Sequence, residues 1–212
     1  MASKSKKSRE RQERKPEELE AAGKHVGYEI EMLSYSALRL GVGHSSPMTT
    51  LEDNEKNLAL EGFLLHYRNL RSFLCPGSEP WTDDIVASDF LGSGELSDVG
   101  DSATIGQHKD RLDKMLAHLS YTRETYIEAK DYGWQTAQMT VVLLDQLEMF
   151  LAKLPADRRD WFPVAERISS HKAAASALAK TAAVLDQTTI SIISTSRLGP
   201  QRRESGDAPA VE

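Results

Sequence analysis

The chain has 212 residues, 40% of them apolar and 27% charged, which is the make-up of an ordinary globular protein with enough length for one real core. Its one cysteine, Cys75, excludes an internal disulfide, and no apolar run approaches the length of a membrane span. The net charge of −6 divides unevenly: residues 1–15 carry seven Lys/Arg and two Glu, so the remainder is strongly acidic. A basic arm on an acidic body is a poor general surface for nucleic acid, because phosphate binding needs clustered cations on the fold itself.

The arm, residues 1–15, reads as a disordered solvated tail. It has no apolar stretch behind its charges and is no secretory signal, which makes the cytoplasm the expected compartment. Pro16, Glu17 and Glu18 then suit the first turn of a helix. Leu19, Ala22, Val26, Ile30, Leu33, Ala37 and Leu40 recur at three- and four-residue steps, predicting a long amphipathic helix that ends near Gly41 and Gly43. Thr49 or Thr50 caps a second helix running to about Cys75, where Pro76 and Gly77 stop it. Its apolar arc, from Leu58, Leu60 and Phe63 through Leu65, Tyr67 and Leu70 to Leu74, is wide enough for a central helix. His66 and Asn69 fall inside that arc, while Glu61, Arg68 and Ser72 form its polar stripe.

Glycine and proline punctuate residues 76–104. Within them TDDIVASDFL, residues 82–91, reads as a short helix capped by Thr82, with Ile85, Val86, Phe90 and Leu91 seeking burial and Asp83, Asp84 and Asp89 delivered to the bundle. Residues 92–103 are expected to be a flexible loop.

The next helix contains HKDRLDKMLAHLSYTR, residues 108–123. Turned by the 3.6-residue period, Ile105, Leu112, Leu116 and Leu119 share a stripe with Arg123, and Arg111 and His118 lie on its shoulder two turns, about 10 Å, apart. An arginine in an apolar stripe must be paired, reach water or be functional. Gly133 breaks this helix. Trp134, Ala137, Val141, Leu144, Leu147, Leu151 and Leu154 define another, with Glu148 near the same face and Pro155 as its end. Residues 156–162 make a turn with a Trp–Phe pair that packs down. Pro163 starts a short helix, an alanine-rich helical stretch follows from Ala173, and the β-branched run 188–194 suits a helix less well. Residues 197–212 read as a disordered tail. The expected architecture is all-α: one helical bundle of four to six helices over residues 16–196 with disordered N- and C-terminal tails.

The six histidines are scattered, and no HExxH, Cys–His pair or phosphate loop occurs, so neither a metal nor a cofactor is expected. Two readings of the polar residues stay open. In the first, an inward network of His66, Asn69 and Arg123, with Asp84, Asp89, Glu61 and Glu148 as candidate counter-charges, fixes the packing of an interaction or regulatory bundle. In the second, Arg111 and His118 are an active pair.

The spacing of that pair resembles the helical HEPN families, many of them metal-independent ribonucleases. Their motif is an arginine, usually followed by Asn, Asp or His, with a histidine after four to six further residues. Arg111 and His118 have six residues between them, and Arg39 and His44 have four. A leucine follows each arginine, whereas Arg68-Asn69 has the favoured dipeptide without the downstream histidine. The resemblance implies His118 as proton-transfer group, Arg111 or Arg123 as phosphate binder, RNA as substrate and a homodimer. The order FLLHYRNLRSFL, TDDIVASDFL, KMLAHLSYTR also resembles uncharacterised bacterial helical proteins, which implies an α-bundle and no particular activity.

Overall fold

The computed structural model describes residues 13–45, 52–76, 80–91, 105–106, 108–117, 133–184 and 190–191. The fold is an all-α bundle. Among the described residues its α-helices are α1 (Pro16–Ser45), α2 (Asp53–Leu74), the short α3 (Lys109–Leu112), α4 (Thr136–Lys153) and α5 (Ala165–Val184). The expected arm up to residue 12, the loop 92–103, the tail 197–212, and both His118 and Arg123 lie outside the described residues.

Helix α1 begins as its sequence requires. The Lys15 backbone N–H donates to the Glu18 carboxylate at 2.9 Å, satisfying one of the donors that a helix start leaves open. Its stripe Leu19, Val26, Ile30, Leu33, Ala37 and Leu40 is buried. Gly41 and Gly43 do not end it; the helix continues to Ser45. A Cβ on Gly41 would come within 2.7 Å of the Leu178 side chain, so this glycine serves close packing of α1 on α5.

Helix α2 is capped two or three residues later than the threonines suggest. Glu52 is the N-cap, and its N–H donates to the Glu55 carboxylate at 3.0 Å. The end falls as expected, with the Cys75 N–H bonded to the Arg71 carbonyl just before Pro76. Pairing of Glu29 with His66 and approach of Ser36 to Gly62 show that α1 and α2 run antiparallel. The wide apolar arc of α2 is only partly buried: Leu60, Phe63, Leu64, Tyr67, Leu70, Phe73 and Leu74 face the core, but Leu58 is 71% exposed and Leu65 45%. Helix α2 is therefore covered on the core side and open along one flank.

The crossover 80–91 departs from its expected helix. Asp84 accepts the Trp81 N–H at 2.7 Å, and Asp89 accepts the Val86 N–H at 3.2 Å. Each bond has the i to i+3 form that opens α1 at Lys15 and Glu18, and the two begin five residues apart, so each closes its own turn. Only Ala87–Asp89 forms one 3₁₀ turn. Val86, Ala87, Phe90 and Leu91 are buried, but Ile85 is not. Phe90 anchors the segment by edge-to-face contacts with Phe73 of α2, Phe150 of α4 and Phe162, at centroid distances of 5.9, 6.2 and 5.0 Å.

The stretch after His108 also departs from a regular α-helix. Four α-helical residues pass into a π-helical turn over Asp113–Ala117. A wider turn resets the helical phase, so a constant 100° step does not hold across Asp113–Ala117. Leu112 is buried as expected, but Met115 is then more buried than Leu116.

Trp134 is buried ahead of α4, where Gly133–Trp134 pairs antiparallel with Ile190–Ser191. This two-residue pairing involves part of the β-branched run and leaves the fold class unchanged. Helix α5 joins the expected short helix and the alanine-rich stretch into one element beginning two residues after Pro163. No described helix is long and apolar enough to cross a membrane.

Candidate functional site

The inward polar residues of α2 are completed by an acid from α1. His66 is 7% exposed, and its Nδ1 donates to Glu29 Oε2 at 2.8 Å. The same oxygen accepts from Asn69 Nδ2 at 3.1 Å. The Tyr28 ring meets the His66 ring edge to face at 5.9 Å. His66 and Asn69 thus belong to one cluster, as their shared arc suggests. Their partner Glu29 was not among the expected acids. Its signal is positional: it lies three residues after Val26 and four before Leu33, on the shoulder of the α1 stripe.

The expected counter-charges are occupied locally. Asp84 and Asp89 accept the backbone N–H groups of their own turns. Glu148 accepts from Ser169 Oγ at 3.0 Å and from Lys172 Nζ at 2.5 Å, and Lys172 also reaches Asp145 at 2.6 Å. This cluster ties α4 to α5. The bonds from Asp145 and then Glu148 push the Lys172 ammonium up to about 12. Its bond in turn holds the Glu148 carboxyl below the usual carboxylate range. Glu61 is exposed on α2.

Arg68, assigned by sequence to an outward stripe, bonds through Nε to Asp113 at 3.1 Å, and Lys109 Nζ donates to the other oxygen at 2.8 Å. Burial pushes the Asp113 carboxyl up, but the Lys109 and Arg68 bonds outweigh it and hold the group below its usual range. The π-helical turn begins at Asp113, so this pair pins the turn to α2.

Arg111 lies with its guanidinium carbon 3.8 Å from the centroid of the Trp134 ring, which is 2% exposed. His108 meets the same ring edge to face at 6.0 Å and Tyr67 at 6.4 Å. Burial pushes the Tyr67 hydroxyl up to about 12, against the pull of the nearby Arg71 charge. Arg111 is therefore held in a cation–π contact within an aromatic group. His118 and Arg123 lie outside the described residues, so of the expected active pair only Arg111 is placed. Arg39 is exposed on α1. Among the described residues no group of three His, Cys, Asp or Glu side chains stands close enough to hold a metal ion.

A cleft of about 540 Å³ opens between α1, α2 and the crossover, walled by His25, Glu29, Arg68, Asn69, Trp81, Asp83 and Asp84. It shares His25, Asp83, Asp84 and Ile85 with a second cleft of about 330 Å³ that extends to Arg14, Glu18 and Asp89. Trp81 is 60% exposed at its edge. The cleft has the size of a binding pocket. No family model, no curated protein and no solved structure matches this chain.

Proposed function

We propose that this protein is an interaction or regulatory bundle rather than an enzyme, built around polar pairs that fix how its helices pack. The observation that carries this reading is that polar groups pair across elements: buried His66 and exposed Asn69 share Glu29, Arg68 and Lys109 share Asp113, and Glu148 and Asp145 share Lys172. Each cluster joins two elements and so selects one register between them. The one cysteine, half-buried at the end of α2, suits a reducing compartment, and we place the protein in the cytoplasm.

The HEPN-like reading, a homodimeric ribonuclease or an inactive relative, requires Arg111 beside a scissile phosphate together with His118. The contact of Arg111 with the buried Trp134 weighs against a guanidinium presented to RNA. Incubation of the purified protein with mixed RNA in EDTA, beside His118→Ala and Arg111→Ala, separates the readings. The expected result is the same RNA profile for all three proteins. Cleavage by the wild type that both substitutions abolish would replace the interaction reading with the nuclease.

A further inference from the structure

We propose that the outer face of the α1–α2 pair is a dimer interface that takes a second copy of this chain. The proposal deepens the interaction reading, and rests on it, by naming the partner. Tyr28 and Tyr35 stand seven residues apart on α1, and Leu58 and Leu65 seven apart on α2. That spacing lines each pair along one side of its helix, as in a coiled-coil seam. Both tyrosines are more than half exposed, Leu58 is the most exposed large apolar side chain of α2, and Leu65 is nearly half exposed. Turned by the helical period, Leu58 and Leu65 fall on the side of α2 opposite the buried Leu60 and Tyr67. Tyr28 leans toward α2, where one contact of its ring is with His66. The four side chains thus border one seam, on the side of the helix pair away from the core.

The antiparallel register makes this face complementary to itself. Ser36 lies beside Gly62, and Glu29 bonds His66 and Asn69. Tyr35 therefore stands level with the gap between Leu58 and Leu65, and Arg39 stands within a turn of Glu61. Arg39 and Glu61 are exposed, and neither has a partner among the described residues. A twofold axis parallel to the helices lays α1 of one copy on α2 of the other, running antiparallel. Each Tyr35 then enters the gap between the other copy's leucines, and each Arg39 reaches the other copy's Glu61, so every contact is made twice. Apolar fit and opposite charge are thus met in the same register. The two tyrosines and two leucines leave about 400 Å² open, half of the roughly 800 Å² that each partner gives to a standard interface. A polar rim supplies the remainder. Arg111 takes no part, because Tyr67, which meets His108 in the aromatic group of Arg111, lies on the far side of α2. This face is therefore separate from the Arg111–His118 pair on which the HEPN resemblance rests.

Sedimentation equilibrium of the full chain tests it. At about 100 μM, a hundredfold above a micromolar Kd, the mass should be twice the 23.5 kDa of one chain. Tyr35→Glu, an exposed change, should weaken association at least about tenfold with the helical circular dichroism unchanged. Arg39→Glu and Glu61→Arg should each weaken it a few-fold, and the two combined in one chain should restore it. A wild type that stays monomeric at this concentration overturns the proposal and leaves the interaction reading in place, since that reading stands or falls with the RNA incubation. A dimer that Tyr35→Glu leaves intact overturns it by moving the interface to another face. Charge variants whose losses add rather than cancel overturn the twofold register.

Discussion

Replacing Glu29 by alanine removes the acceptor on which His66 and Asn69 converge. Asn69 is exposed and can turn to water, so its lost bond matters little. His66 is buried and keeps a ring N–H without a partner. Losing a hydrogen bond to a charged group costs about 1.5–3 kcal/mol, and the quarter exposure of the Glu29 side chain argues for the middle of that range, about 2 kcal/mol. Alanine is also the better helix former, so the measured loss is a lower limit for the interaction. The converse change is milder. In His66→Leu the carboxylate keeps Asn69 and reaches water, and the expected cost is about 1 kcal/mol or less. Urea unfolding followed by far-UV circular dichroism reads both. With a slope of about 2 kcal/mol per molar, Glu29→Ala should lower the midpoint by about 1 M. The double variant should lose at least about 1 kcal/mol less than the sum of the two single losses. A Glu29→Ala protein within about 0.5 kcal/mol of wild type, or strictly additive losses, would refute the view that this cluster locks α1 to α2.

Gly23→Ala should cost about 1–3 kcal/mol in the same assay, because its Cβ would lie 2.7 Å from the Trp161 carbonyl oxygen. Gly27→Ala, where the nearest atom is a Val164 methyl at 3.7 Å, should instead stabilise by up to about 1 kcal/mol through helix propensity. Phe150→Ala should cost about 3–5 kcal/mol, since the ring packs edge to face on Phe73, Phe90 and Phe162, and thermal unfolding measures the loss. The depressed Glu148 carboxyl contributes stability that is present above its ordinary value of 4.5 and is lost as pH falls through the lower folded value. Lys172, raised to about 12, contributes stability that is complete below 10.5 and is lost as pH rises through about 12. Lys172→Met should therefore flatten both limbs of a stability-against-pH curve, at a cost near neutrality of about 1 kcal/mol or less for so accessible a cluster.

Helical spacing is a local property, and it carried much of the fold. The α1 stripe, the stop of α2 at Pro76 and the end of α4 before Pro155 were legible from residues within a few turns of one another. The α4 face, however, was drawn rotated: Met139, Thr140, Leu143 and Phe150 are buried, whereas Ala137, Val141 and Leu151 are only partly so. The same locality placed His66 and Asn69 together, because residues three apart on one helix share a face. It did not foresee two changes of backbone: the crossover forms separate turns with a single 3₁₀ turn at Ala87–Asp89, and a π-helical turn at Asp113–Ala117 interrupts the constant step.

What pairs with what was decided only by tertiary packing. Glu29 meets His66 across 37 residues, Arg68 meets Asp113 across 45 and Lys172 meets Glu148 across 24. A sequence of many acids and bases admits many such pairings, and the antiparallel register of α1 on α2 selects among them. Arg111 shows the same limit. Its charge and spacing are local, but its position over the Trp134 ring depends on a residue 23 places further along, brought beneath it by the start of α4. By itself the sequence determined which faces are apolar and which helices form, because period and capping act over one or two turns. The tertiary structure decided the partners of the charges and the cleft between α1, α2 and the crossover, because both are set by how faces from distant segments meet.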